Sequence, residues 1–346
     1  MSSADAVAGV LWIGATLYAV FGGADFGAGF WALTARRDER GERARALVVW
    51  AIGPVWEANH VWLIFVLVVL WTAFSTAFEA IMSTLFIPLS LAALGIVLRG
   101  SGFAFHKLAR RVQYRRLAER IFGLFSLLTP FFMGTVVGAI ASGRVPVGNA
   151  AGDAVTSWLN GVSLLTGALF VATGAYLSAV FLISDARRAE DPDLERYYAT
   201  RAQIAALVAG AIALAAILVY RADARFIYDG LTSEGLPLVI ASALCGLGVL
   251  ALLARGQRRG TRALAVGAVV AVIWGWGVAQ YPYLLPQDLT IQEGAGASGT
   301  LTAVLIVFGV AVVVVLPALA FLYALSQRSL LEGEGEAPRS AQPPLG

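Results

Sequence analysis

Charged residues are scarce in this 346-residue chain, where they make up 14% of the sequence, against roughly 25% in soluble domains. Apolar residues make up 59%, so a soluble fold of this length would lack the charge needed to cover its surface. The scarcity excludes a disordered chain and an ordinary cytosolic enzyme. The composition indicates a polytopic integral membrane protein.

Cysteine and histidine are almost absent. A single cysteine, Cys245, excludes a disulfide within the chain and a cysteine-based metal site. Two histidines, His60 and His106, supply few axial positions for haem. No zinc spacing, catalytic triad or glycine-rich phosphate loop occurs, and the net charge of +3 gives a nucleic-acid partner no support. We therefore expect this chain to bind no metal of its own.

Long apolar segments are what the sequence does contain. A helix crosses a bilayer with about 20 apolar residues, and nine segments qualify. They lie near residues 7–34, 49–72, 77–99, 119–141, 158–184, 202–220, 236–254, 263–281 and 300–326. The predicted fold class is an all-α integral membrane protein with nine transmembrane helices.

The basic residues predict the orientation of these helices. Of the 25 lysines and arginines, only Arg144, Arg221 and Arg225 fall in one set of alternate connections, and the other 22 fall in the other set or the tail. Basic loops stay in the cytoplasm, so the N-terminus is expected outside and the C-terminus inside. The tail at 328–346 is rich in Pro, Gly and Glu, and is predicted to be disordered on the cytoplasmic side.

An internal repeat appears when the first helix is shifted by 151 positions. Val20, Gly23, Ala24, Ala28, Phe30, Ala35, Arg36 and Arg37 then fall on Val171, Gly174, Ala175, Ala179, Phe181, Ala186, Arg187 and Arg188. The repeat predicts two parallel four-helix bundles, at 1–150 and 151–290, followed by a peripheral ninth helix at 291–327. Helices rich in glycine and alanine also match one another easily, so one matched segment is a small basis for duplication.

Two acidic residues lie within the apolar segments, where ionisable groups are costly and therefore candidates for function. Asp25 and Glu57 are each expected roughly 10–14 Å into the membrane from the cytoplasmic side. Neighbouring antiparallel helices would let the two carboxyl groups face each other, an arrangement that suits a proton relay. Alternatively, Asp25 bonds to the backbone of the second helix or to His60 as a purely structural contact.

The residues around Glu57 extend this candidate site. His60 follows three positions later on the same helix face, either assisting the relay or serving as a hydrogen-bonded core histidine. Trp56 and Asn59 share another face. Two other classes of function stay open from the residues alone: a proton-coupled secondary transporter, which also uses buried acids, and a structural scaffold without a proton role.

Two motifs resemble subunit II of the cytochrome bd-type quinol oxidases. They are GADFGAG at 23–29 in the first helix and GPVWEANHVWL at 53–63 in the second. Further similarity lies at Tyr281-Pro282-Tyr283 with Pro286, and in the ninth helix with Pro317. The resemblance covers about residues 7–326.

The resemblance implies a multi-pass protein of the bacterial plasma membrane in an enzyme of the aerobic respiratory chain that oxidises quinol and reduces oxygen to water. The partner, subunit I, would carry the quinol site and the haem b and haem d-type groups, whereas this subunit would hold no haem. A structural quinone or lipid and a small single-helix subunit are further components that the sequence leaves open.

The resemblance also implies roles for individual residues. Asp25 and Glu57 would relay protons from the cytoplasm toward the oxygen-reducing haem, and Arg99 would assist at the cytoplasmic entrance. Trp56, Asn59 and Trp62 would pack beside that route. The position of His60 varies among Gln, Glu and His in the family.

One position departs from the family pattern. Ala104 stands where some members have an acid after the arginine, which argues against a carboxylate gate at this position. His106 and Glu119 are the two residues that could substitute for that acid.

Overall fold

A computed structural model of the chain describes residues 2–53, 56–108 and 112–327. The described residues form thirteen α-helices, one π-helical turn and one small hairpin. The helices are α1 (Ser3–Leu17), α2 (Gly23–Thr34), α3 (Glu39–Ile52), α4 (Trp56–Ala73), α5 (Ser75–Thr84), α6 (Phe86–Leu108), α7 (Val112–Ala141), α8 (Gly161–Arg188), α9 (Pro192–Asp223), α10 (Arg225–Thr232), α11 (Leu236–Ala254), α12 (Thr261–Gln280) and α13 (Ser298–Gln327). The π-helical turn spans Tyr18–Gly22 and joins α1 to α2. Strands β1 (Tyr283–Leu285) and β2 (Leu289–Thr290) pair in antiparallel fashion.

Nine helical segments in the described part of the chain are long and apolar enough to cross a membrane. They are Ser3–Thr34, Trp56–Ala73, Phe86–Phe105, Gln113–Ala141, Gly161–Arg188, Pro192–Asp223, Leu236–Ala254, Thr261–Gln280 and Ser298–Val315. The predicted all-helical class and the number of spans are confirmed. The predicted tail, 328–346, lies outside the described residues.

The predicted segments at 49–72 and 77–99 each overlap two of these helices. The second, 49–72, covers the end of α3 and most of α4, and residues 54 and 55 between them lie outside the described part of the chain. The third, 77–99, is divided between α5 and α6. Pro88 explains the break between α5 and α6. A proline ring clashes with the carbonyl of the residue four positions earlier, and here that residue is Thr84, the last of α5.

Helix starts have local causes in the sequence. Ser2 caps α1 together with Asp5 in a reciprocal capping box. Asn160 accepts a hydrogen bond from the amide of Ser163 at the start of α8. Asp191 caps α9, which has proline in its first turn. These signals fix where the helices begin on each side of the molecule.

The repeat-related helices α2 and α8 pack directly against each other through glycine. A Cβ added to Gly27 would lie 1.9 Å from the carbonyl oxygen of Gly174, and one on Gly174 would lie 2.8 Å from that of Gly23. Only residues without a side chain allow two helix backbones to approach this closely. Gly23 and Gly174, which the 151-residue shift superposes, therefore lie at one helix crossing, which is compatible with the predicted duplication.

The core consists of two main clusters of buried apolar residues. The larger draws on α2, α3, α8, α9 and α12, and the second on α1, α4, α5 and the hairpin. The outer faces of α9, α11 and α13 are exposed and almost wholly apolar. Against this background, the largest fully buried side chain is an arginine, Arg99.

Candidate functional site

The centre of the candidate site is a buried ion pair between α2 and α6. Nη2 of Arg99 lies 2.9 Å from Oδ1 of Asp25, with side-chain exposures of 1% and 2%. Neither carboxylate oxygen accepts a well-aligned hydrogen bond from the described residues. The pair thus balances charge, while the carboxylate keeps capacity to accept a proton or a water molecule.

Arg99 is held by more than its carboxylate. Its Nε donates to Oγ of Ser126 at 3.0 Å, and its Nη2 donates to the backbone carbonyl of Asp25 at 3.3 Å. The guanidinium carbon lies 4.8 Å from the ring centre of Phe26 and 5.0 Å from that of Phe122. Aromatic faces attract a desolvated cation, so these contacts fix the position of the positive charge.

Small residues bring the three helices of this site together. A Cβ added to Gly29 on α2 would lie 2.0 Å from Oγ of Ser126 on α7. One added to Gly102 on α6 would lie 2.8 Å from the backbone nitrogen of Phe122. The glycines of the helix-one motif therefore let α7 present Ser126 to Arg99.

The π-helical turn stands immediately before α2 and sets the direction of Asp25. Each π turn inserts an extra residue and rotates the following helix relative to the preceding one, and such turns are frequent at functional sites. Asn59, which is buried on α4, donates from Nδ2 to the carbonyl of Phe21 in this turn at 3.5 Å. Asn59 therefore connects α4 to the segment that orients Asp25.

His60 lies in a cage of aromatic rings. Its ring centre is 6.0 Å from that of Phe26, and 6.3 Å from those of Tyr18 and Trp56. Its Nδ1 is buried and has no hydrogen-bond partner among the described residues. Phe26 touches both His60 and Arg99, so the histidine and the ion pair belong to one cluster.

The two predicted packing tryptophans take different positions. Trp56 contacts His60 and also Phe103, whose ring centre is 5.5 Å away. Trp62 is half-buried against Phe65, at 6.4 Å between ring centres. Trp56 is thus part of the cluster around the ion pair.

The expectation that Asp25 and Glu57 face each other is wrong for this chain. Glu57 is exposed on α4, whereas Asp25 is buried on α2. The face of α4 that carries Glu57 points outward. Asp25 instead pairs with Arg99. This contact takes the place of the expected facing Glu57 and of the alternative bond to His60 or to the backbone of the second helix.

The predicted position of Arg99 at the end of its helix is also wrong. Arg99 lies well inside α6, which continues to Leu108. Ser126, Tyr18 and Phe122 were missed, since nothing in their local sequence distinguishes them from other core residues.

Glu119 and His106 are the two residues considered as substitutes for the missing acid at the cytoplasmic gate. Glu119 lies on α7, with its Oε1 3.9 Å from Nε of Arg115. The side chain of His106 lies outside what the structure describes. Among the described residues, no group of three His, Cys, Asp or Glu side chains is placed to hold a metal ion.

Comparisons with known proteins give consistent results over nearly the whole chain. The family model described as cytochrome bd terminal oxidase subunit II matches residues 4–326. A protein named putative cytochrome bd menaquinol oxidase subunit II, from Bacillus subtilis, is 24% identical over 332 residues, covering 92% of this chain and 94% of the relative.

Two further similarities point the same way. The B. subtilis protein named cytochrome bd ubiquinol oxidase subunit 2 is 28% identical over 114 residues, which cover 33% of each chain. A chain in the solved structure of bd oxidase from Geobacillus thermodenitrificans superposes with a TM-score of 0.75 at 27% identity, covering 96% of this chain and 100% of that one.

These findings define the class as a multi-pass membrane subunit of a terminal quinol oxidase, in the bacterial plasma membrane. The chain belongs to the cytochrome bd terminal oxidase subunit II family. Subunit II implies a partner, subunit I, and the family implies haem in that partner. Family membership therefore favours the oxidase over the transporter alternative.

Proposed function

We propose that this chain is the haem-free subunit that stabilises subunit I and conducts protons from the cytoplasm toward the oxygen-reducing haem of that partner. The enzyme oxidises quinol and reduces oxygen to water. In this proposal the protons for water come from the cytoplasm, while quinol oxidation releases protons on the other side. Charge then separates across the membrane without a pump.

The buried carboxylate of Asp25 is the observation that carries the proposal. A buried ion pair contributes little net stability, because desolvation of both charges offsets their attraction. Ionisable groups kept at membrane depth mark proton routes. Arg99 pairs with Asp25, and the contacts of Arg99 with Ser126 and two aromatic rings hold the arginine in place independently of that pair.

His60 and Glu57 supply the steps on the other side of Asp25. His60 shares the contact with Phe26 and offers an unpartnered Nδ1 to a proton arriving by water. Glu57 lies one helical turn before His60 on α4 and is exposed. In the proposed order, Asp25 receives the proton, His60 assists, and Glu57 delivers it at the surface of the subunit.

The face of α4 that carries Glu57 is the proposed contact with subunit I. Exposed residues follow Glu57 at spacings of four and three, which keep them on one helix face: Val61, Ile64, Val68 and Trp71. A charged side chain that faces hydrocarbon is costly. A partner protein over this face removes that cost and receives the proton.

Substitution of Asp25 tests the relay. We expect Asp25→Asn, expressed with subunit I, to lower oxygen consumption on the order of 100-fold, with haem absorbance unchanged. Asp185→Asn is the matched control, because Asp185 is also buried and ion-paired, to Arg188, but lies at the end of α8 outside the cluster. Full activity of Asp25→Asn with intact haem would eliminate the relay.

A structural role for the ion pair is the second candidate, favoured by the number of contacts that hold Arg99. In that case Asp25→Asn would reduce haem content and assembly together with activity. Asp25→Glu separates the two candidates, because the longer acid preserves proton transfer better than it preserves the packing.

Orientation and subunit composition complete the proposal. We place the N-terminus outside, with bundles at 1–150 and 151–290, since the arginine-rich connections belong in the cytoplasm. Protease protection of a C-terminal tag in sealed vesicles tests this placement. Native mass spectrometry of the purified assembly decides whether a small single-helix subunit belongs to it.

A further inference from the structure

A basic surface cavity of about 610 Å³, largely open to its surroundings, lies at the turns between α8 and α9 and between α11 and α12. It is lined by Arg187, Pro192, Glu195, Arg196, Gly256, Arg258 and Arg259. Four membrane-spanning helices end or begin beside it, at Arg188, Pro192, Ala254 and Thr261. The cavity therefore lies at the boundary between membrane and water, on the arginine-rich face.

The charges around this cavity do not balance. Glu195 is its one acidic residue, and its Oε1 accepts from Arg187 at 2.7 Å and lies 3.1 Å from Nη1 of Arg258. Arg196 and Arg259 have no carboxylate partner within the part of the chain that the structure describes. An anionic ligand would balance these positive charges. The planar guanidinium group of arginine can bind two phosphate oxygens at once.

Apolar helix faces continue from the cavity along the membrane. On α9, exposed Ile204, Leu207 and Leu214 follow Arg196 at helical spacing, with exposures of 54%, 62% and 67%. On α11, Leu244 and Leu247 are exposed on the way to the same turn. A ligand seated here has an anionic group beside arginine and apolar surface next to hydrocarbon.

We propose that this cavity binds the headgroup phosphate of an anionic phospholipid, with the acyl chains lying along α9 and α11. Basic pockets between membrane helices on the cytoplasmic side suit anionic lipid headgroups, which are enriched in that leaflet. A soluble phosphate shares the headgroup chemistry but makes no use of the apolar faces. The site is independent of the proposed proton route.

Lipid retention in the complete oxidase complex tests this assignment. The double variant Arg196→Ala with Arg259→Ala removes the two arginines that lack a carboxylate partner. The control is Arg255→Ala, since Arg255 is also exposed and lies four residues from Arg259 but does not line the cavity. Complexes in mild detergent are given phosphatidylglycerol, phosphatidylcholine or inorganic phosphate, and bound molecules are counted by native mass spectrometry.

We expect the double variant to bind phosphatidylglycerol on the order of tenfold more weakly, and the control to bind it as the unmodified complex does. Phosphatidylcholine and inorganic phosphate should not compete. Equal retention in the double variant and the control, or displacement of the lipid by inorganic phosphate, would overturn the assignment. Asp25→Asn should retain the lipid, which separates this result from the test of the proton route.

Discussion

At the scale of single residues, Arg99 is the side chain whose removal has the most direct consequence. Without it, Asp25 would lose its charge partner in a buried site, and Ser126 would lose its donor. We expect Arg99→Ala to lower the free energy of unfolding by about 3–5 kcal/mol, and Arg99→Lys to lower it by less, because a lysine keeps the charge without the planar fork. Denaturant titration of the purified complex measures the change.

Arg225→Ala is the matched control for this prediction. Arg225 also pairs with an acid, Asp229, but both side chains are more than half exposed. Pairs of this kind contribute about 0–1 kcal/mol. If Arg99→Ala lowered the free energy of unfolding no more than Arg225→Ala does, burial of the ion pair would not be the reason for the importance of Arg99.

Glu57 provides a second prediction at this scale. We expect Glu57→Gln to slow oxygen consumption while haem content and copurification of subunit I stay unchanged, because the amide keeps the shape of the side chain and removes only the titratable proton. Glu79→Gln on α5 serves as the comparison, since Glu79 is another exposed acid but lies outside the cluster. Equal oxygen consumption in the two variants would count against a role for Glu57.

At the scale of elements, the crossing of α2 and α8 depends on glycine. Alanine is the better helix former by about 1 kcal/mol, yet a Cβ on Gly27 would lie 1.9 Å from a backbone oxygen that cannot move aside. We expect Gly27→Ala to lower the stability of the chain by about 1–3 kcal/mol, measured as a fall in the melting temperature of the complex.

Gly9→Ala gives the opposite expectation on the neighbouring helix α1. A Cβ at Gly9 meets no atom within 4 Å, so the gain in helix propensity should appear as unchanged or slightly higher stability. If both substitutions lowered the melting temperature alike, the close crossing of α2 and α8 would not be the cause.

Helix boundaries within a long apolar run have little local signature in the sequence. The apolar run at 77–99 has Glu79 as its one charged residue before Arg99, so hydropathy alone joined α5 to α6. The π-helical turn at Tyr18–Gly22 has no sequence signature at all, because it results from how α1 and α2 pack against α4 and α8.

At the scale of the whole molecule, exposed apolar faces separate the surfaces that meet lipid from the surface proposed to meet subunit I. We expect Ile64→Trp, on the α4 face that carries Glu57, to weaken assembly by about 1–3 kcal/mol through overpacking. Haem absorbance in the complex isolated through a tag on this chain measures the loss.

Leu244→Trp is the control for that surface. Leu244 on α11 is as exposed as Ile64, with values of 64% and 60%, but we assign its face to lipid, which accommodates a larger side chain. Loss of haem in the α11 variant with full assembly of the α4 variant would show that the interface had been placed on the wrong face.

The sequence by itself determined the class, the number of spans and the family, because these follow from the length of apolar runs and from a dense local motif. The class, the number of spans and the family depend only on residues that are near one another along the chain. In hydrocarbon, a run of this kind satisfies its backbone hydrogen bonds by forming a helix.

Only the tertiary structure decided which ionisable groups meet. Asp25 and Arg99 are 74 positions apart, and their contact requires that α2, α6 and α7 approach through Gly29 and Gly102. Glu57 is nearer to Asp25 in sequence and carries the stronger motif, yet α4 turns it outward. Partner choice depends on helix rotation and on close packing between distant segments, and neither is encoded in the periodicity of a single helix.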